Sequence, residues 1–165
     1  MATIRPFMGI RPAPEYAKDV AALPYDVMNT EEAREMVKGN PYSFLHIDRA
    51  EIDLPVGTDP YSPAVYEKAR DTFYEQLDKG IFTQDLLPNL YIYRLTMDGR
   101  SQTGLVVCTA IDEYLNDTIK KHELTRADKE ADRIRHVDTL NANTGPIFLA
   151  YKENADAKAI IDGYT

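Results

Sequence analysis

One cysteine, no apolar run of membrane length and a shortage of basic residues set the first bounds on this chain. The lone thiol, Cys108, leaves no internal disulfide to form. It lies in the apolar run from Leu105 to Ala110 and is expected to be a buried thiol in a reducing compartment. No stretch approaches the ~20 consecutive apolar residues of a transmembrane helix. The start, Met1-Ala2-Thr3-Ile4-Arg5-Pro6-Phe7, lacks the apolar core of a secretory signal. A cytoplasmic protein with no membrane partner is therefore expected. Acidic residues outnumber basic ones 27 to 19, a formal net charge of -8. That balance opposes general nucleic-acid binding, which rests on phosphate neutralisation by Lys and Arg. A Gly-rich phosphate loop, a dinucleotide fingerprint and a Gly-x-Ser-x-Gly elbow are also missing. Three histidines and one cysteine cannot build a closed structural zinc set, so no metal ligands are assigned.

What is present suits a folded domain. The 165 residues are 44% hydrophobic, enough to build a core, and fit one domain or the N-terminal part of a longer protein. Pro6, Pro12, Pro14 and Pro24 keep the first segment extended, with a short strand over Ile4 to Phe7. Asn29 or Thr30 caps a helix whose Glu31 and Glu32 suit its positive end, and Gly39 stops it. Ser43 to Ile47 reads as a short strand, and Asp53 to Ser62 as a surface loop. Ser62-Pro63 opens the best-defined helix, with Val65, Ala69, Phe73 and Leu77 on one stripe and Gly80 after its last turn. Tyr91 to Thr96 and Thr103 to Ile111 are strands joined by the hairpin signal Asp98-Gly99. A third helix is expected from Arg126 to Asn141, a strand over Ile147 to Tyr151, and a last helix from Ala155 that runs into the end of the chain. The fold class is α/β, an α+β arrangement with a mixed sheet, a β-hairpin and three or four helices.

The chemistry concentrates ahead of the third helix. Lys120-Lys121-His122-Glu123-Leu124-Thr125-Arg126 places two of the three histidines, counting His136, beside a cationic cluster in an acidic chain. Thr125 is a candidate N-cap. Exposed N–H groups at that helix start, with Lys121, Arg126, Lys129 and Arg133 near them, fit an anion such as phosphate. At 100° per residue, Thr125, Lys129, Asp132 and His136 share one face, while Ala127, Ala131, Ile134 and Val137 take the other. The polar face is expected to point outward. The competing reading is a solvated helix whose charges form surface ion pairs of little energy. His122 and Glu123 are the candidate acid or base groups. They do not form a zinc-protease motif, because Arg126 stands where its second His is needed. Glu123 with other carboxylates is compatible with Mg²⁺ held through phosphate oxygens, with a nucleotide or another phosphate.

Two further clusters stand out. In Leu23-Pro24-Tyr25-Asp26-Val27 a stiff turn presents Tyr25 and Asp26, either to orient a polar ligand or as a packed helix entry. In Asn40-Pro41-Tyr42-Ser43-Phe44-Leu45-His46-Ile47-Asp48-Arg49, a strand would put Phe44, His46 and Asp48 on one face. His46 with Arg49 is a candidate pair for a carboxylate or phosphate; a satisfied structural histidine is the alternative.

These segments carry a family resemblance. Ile4-Arg5-Pro6-Phe7, Gly9-Ile10-Arg11-Pro12, Pro24-Tyr25-Asp26-Val27, Asn40 to His46, and His122-Glu123-Leu124-Thr125 with Lys129 and Arg133 resemble, in order, the N-terminal part of the DUF1015 proteins. The resemblance implies that full-length members are considerably longer. It also implies that they carry, further along, an Asp-Gly-His-His-Arg motif similar to that of ParB-like free serine kinases. No such motif occurs here, so no catalytic residue is transferred from that family, and the chain is expected to be inactive or incomplete alone. A ParB-like core and a serine- or phosphoserine-linked phosphoryl reaction are what the resemblance suggests. The expected function is a phosphate- or nucleotide-linked small-molecule enzyme domain. The alternative is an anion- or nucleotide-sensing module without catalysis, and a purely structural domain is the third reading.

Overall fold

The computed structural model describes residues 2–121 and 125–164. In chain order the elements are β1 (Ile4–Arg5), β2 (Ile10–Pro12), α1 (Ala17–Val20), α2 (Thr30–Met36), α3 (Leu45–Asp48), a 3-10 turn (Ala50–Asp53), α4 (Pro63–Asp78), β3 (Phe82–Gln84), β4 (Tyr91–Met97), β5 (Arg100–Val106), β6 (Cys108–Thr109), α5 (Ile111–Leu115), α6 (Ala127–Leu140) and α7 (Ala155–Tyr164). This is a mixed α/β chain. Its strands form three antiparallel pairs, β1 with β6, β2 with β3 and β4 with β5. Among the described residues the four helices of seven residues or more (α2, α4, α6 and α7) are those the sequence announces.

The chain folds as two compact units. One holds Gly9–Leu86 together with α6 and the residues after it to Thr144. Its largest element is α4, where Pro63 sits at the helix start and Val65, Ala69 and Phe73 are buried. They join Val20, Ile47, Ala50, Ile81, Phe82 and Leu140 in the main core. Each fully buried large side chain of this kind contributes roughly 1.5–3 kcal/mol. A smaller cluster of Ala33, Leu45 and Ile52 lies beneath α2. Asn29 begins α2 with a full capping box: its side chain accepts from the Glu32 N–H at 2.9 Å, and its own N–H donates to the Glu32 carboxylate at 2.8 Å. The segment read as a strand, Ser43 to Ile47, is instead helical: α3 buries Leu45 and Ile47, so Phe44, His46 and Asp48 do not share a strand face.

The second unit holds the residues up to Met8, Leu87–Lys121, and the chain from Gly145 onward. Its hairpin pairs Met97 with Arg100 and Tyr91 with Val106. Asp98 and Gly99 turn it with φ of 50° and 76°. Positive φ at both turn positions matches the strands' twist, which explains the Asp-Gly pair. Two expectations fail here. Ile147 to Tyr151 forms no strand, and Cys108 is exposed, not buried. Among the described residues no helix is long and apolar enough to cross a membrane.

Candidate functional site

The first unit contains a small cavity of about 90 Å³. The end of α3, the turn after it, Tyr25, Tyr61 and one face of α6 line it, with Tyr66 of α4. The α6 face is the informative one. Asp132 and His136 are 7% and 3% exposed, whereas Ile134 is 54% exposed. The helix is amphipathic as its spacing predicts, but turned over: the polar stripe faces the unit's interior and the apolar stripe of Ala127, Ala131 and Ile134 faces out. Burial of a polar group is tolerated only when partners replace water, and each inward group on α6 has one.

Asp132 accepts a hydrogen bond from the Tyr66 hydroxyl at 2.8 Å through one oxygen and from Arg133 at 3.0 Å through the other. Burial, and then the bond to Asp132, push the Tyr66 phenol up to about 12, so it stays a donor. Arg133 also lies 3.8 Å from Asp48 and stacks 4.4 Å from the Tyr25 ring centre. The ring nitrogen Nε2 of His136 is 3.1 Å from the carbonyl of Ile47. A carbonyl only accepts, so Nε2 carries the proton. His136 Nδ1 faces the Thr144 hydroxyl at 3.4 Å, and that hydroxyl donates to Asp48 at 3.1 Å. Burial holds the His136 imidazole below its ordinary value and pushes the Asp48 carboxyl above its own, so the interior favours the neutral forms of both.

Lys129 projects from the first turn of α6. Its ammonium donates to the Tyr61 hydroxyl at 3.0 Å and lies 5.6 Å from that ring's centre. The bond to Tyr61 holds the lysine above its ordinary value. Among the described residues it makes no ion pair. Arg49, by contrast, is held by an acid: it forms an ion pair with Glu51 at 2.8 Å and donates to the Tyr25 carbonyl and to Thr30. It builds the wall and has no charge to spare. The lining therefore holds three basic side chains, Arg49, Lys129 and Arg133, and three acidic ones, Asp48, Glu51 and Asp132. Lys129 is the basic group whose direct partner is neutral.

A family model described as "Protein of unknown function (DUF1015)" matches residues 4–165. The chain belongs to the DUF1015 family. No curated protein and no solved structure matches it.

In this DUF1015 chain the residues singled out from sequence divide. Lys129, Arg133, His136, Tyr25 and Arg49 meet at the cavity. Arg126 does not: it is exposed and tied to Asp128 at 2.7 Å. It holds the N-cap position that was expected for Thr125, without a side-chain cap, and Thr125 is exposed ahead of it. Lys121 belongs to the other unit, where it lies 5.0 Å from the Tyr114 ring centre. Asp26 is exposed and does not line the cavity. His46 is a clamp and not a partner of Arg49. Its Nδ1 contacts Asp53 at 2.9 Å and its Nε2 the carbonyl of Asn40 at 3.1 Å. His122 and Glu123 fall outside the described residues. Sequence reasoning missed Asp48, Thr144, Tyr61 and Tyr66 as site residues. Asp132 was placed beside Lys129 and His136 by helical spacing, and that spacing was the signal for its role. Among the described residues no group of three His, Cys, Asp or Glu is arranged to hold a metal ion.

Proposed function

We propose that the α6 cavity receives the phosphate end of a small phosphorylated molecule, and that the intact protein carries out phosphoryl transfer or hydrolysis on it. Lys129 carries the proposal: it is a cation at the cavity whose direct partner among the described residues is the uncharged Tyr61 hydroxyl. An incoming anion gains that charge without first breaking an ion pair. Arg133, held flat by Tyr25, is the second donor, and its planar fork suits phosphate oxygens. The size fits a phosphoryl group. About 90 Å³ is far below the roughly 300 Å³ of a pocket that encloses a whole drug-sized ligand, so a nucleotide would enter by its phosphates alone. His122 and Glu123, just ahead of α6 in sequence, are proposed to supply acid or base. Such catalysis is mostly positioning and charge stabilisation.

A sensing role without turnover is the second reading. The pairing of the lining favours it, because among the described residues Lys129 is the one basic lining group without an ion pair. Thermal shift with inorganic phosphate, pyrophosphate, ATP, ADP and phosphoserine tests binding. At least one should raise the melting temperature, and Lys129→Ala should cancel the rise. No shift with any of them removes both readings. Where binding is seen, release of phosphate or formation of a phosphorylated product separates enzyme from sensor.

A further inference from the structure

Asp48, Thr144 and His136 form a chain of hydrogen bonds at the cavity wall that the proposed function leaves unused. Asp48 Oδ1 and His136 Nε2 are 4.0 Å apart, too far for a direct bond. The Thr144 hydroxyl joins them instead, 3.1 Å from Asp48 Oδ1 and 3.4 Å from His136 Nδ1. A hydroxyl can donate to one neighbour while accepting from the other. Two arrangements therefore satisfy every group in the chain. In one, His136 is an imidazolium whose Nδ1–H donates to Thr144, and Thr144 donates to an Asp48 carboxylate. In the other, Asp48 is a carboxylic acid that donates to Thr144, and Thr144 donates to a neutral imidazole. The Nε2–H of His136 stays on the Ile47 carbonyl in both. One proton distinguishes the two, and it moves from Nδ1 to Oδ1 as the hydroxyl hydrogen turns.

We propose that Asp48, Thr144 and His136 hold this one proton as a unit, and that the unit makes Asp48 a neutral acid at the cavity and so sets the cavity's appetite for an anion. His136 is buried and the Asp48 side chain is only 16% exposed, which disfavours the charge-separated arrangement. The other charged groups facing the chain are Arg133 and Asp132, both on α6; the first favours a charged Asp48 and the second opposes it. With Asp48 neutral, Arg49, Lys129 and Arg133 face only Glu51 and Asp132. The lining then carries a net positive charge. Donation of the Asp48 proton to an oxygen of the bound ligand leaves a carboxylate held by the Thr144 hydroxyl, and a proton from water restores the acid after the ligand departs. The acid's role rests on the proposed function; the shared proton does not.

The test follows the imidazole nitrogens of His136 and the side-chain carboxyl carbon of Asp48 by NMR against pH, in the wild type, Thr144→Val and Thr144→Ser. With the link cut in Thr144→Val, the Asp48 midpoint should rise and the His136 midpoint fall, moving apart by about one pH unit or more. Thr144→Ser should restore both, which also shows that the Val effect is not misfolding. Midpoints that stay put in a folded Thr144→Val protein overturn the proposal. Inorganic phosphate supplies a second arm. Asp48→Asn mimics the neutral acid and should bind phosphate within about twofold of the wild type at pH 7; binding several-fold tighter than the wild type would show a charged Asp48 and contradict the assigned charge. If phosphate binds no variant, the proposed function fails while the NMR midpoints still decide the shared proton.

Discussion

The orientation of α6 can be tested by two substitutions two residues apart. Asp132→Ala removes an acceptor that the Tyr66 hydroxyl meets at 2.8 Å in a buried setting and that Arg133 meets at 3.0 Å. A hydrogen bond to a charged group contributes about 1.5–3 kcal/mol, and a buried donor left unpaired costs about 1–3 kcal/mol. The Arg133 share is smaller, because that side chain is 28% exposed and keeps Asp48 at 3.8 Å. The expected loss is therefore about 2–4 kcal/mol. At roughly 2–4 °C per kcal/mol for a chain of this size, the melting temperature should fall by about 10 °C. Ile134→Glu, on the outward face, should change stability by no more than about 0.5 kcal/mol. An ordinary amphipathic helix predicts the reverse: a tolerated Asp132 change and a loss of about 2–5 kcal/mol from a buried Ile134. Urea unfolding followed by circular dichroism reads both. If Ile134→Glu is the damaging change and Asp132→Ala the silent one, the buried polar stripe does not exist.

Three further outcomes are expected. The hydrogen bond that His46 donates to the Asp53 carboxylate holds the imidazole above its ordinary value of 6.5. Its contribution to stability is thus full below 6.5 and is lost as pH rises through the folded value; His46→Gln should remove that alkaline-side decline from a series of unfolding curves. His136 acts in the opposite sense, since its depressed value withholds stability as pH falls below 6.5. Asn29→Ala breaks the capping box of α2 and should cost about 1 kcal/mol, measured by the same unfolding assay. Cys108 is exposed and should react with a thiol reagent in the native protein at a rate close to that in urea; protection by more than tenfold would show that it is covered.

Much of the framework can be read in the chain itself. Asn29, Ser62-Pro63 and Asp98-Gly99 are local signals, and each marks an element that forms where it stands. The failures have physical causes. α3 is only four residues long, too short to distinguish a period of two from one of 3.6, so Ser43 to Ile47 offered both readings. Ile147 to Tyr151 is apolar, but a strand needs a partner, and among the described residues none pairs with it. The turned-over α6 is the instructive case. Half of its apolar stripe, Ala127 and Ala131, is alanine, which gains little from burial, while its polar stripe finds Tyr66, the Ile47 carbonyl and Thr144. Two of those partners lie 66 and 89 residues away. Helical spacing could group Lys129, Asp132 and His136, but only the fold could say which way they face. Arg126 shows the converse: a neighbour in sequence to that group, it is exposed, does not line the cavity and pairs with Asp128.

The central claim is that the inward stripe of α6 receives an anion through Lys129. Calorimetric titration of pyrophosphate into the wild type, Lys129→Ala and Arg126→Ala addresses it most directly. Binding should be lost with Lys129→Ala and retained with Arg126→Ala, whose side chain is exposed and paired with Asp128. Equal binding by wild type and Lys129→Ala, or loss with Arg126→Ala alone, would contradict the account.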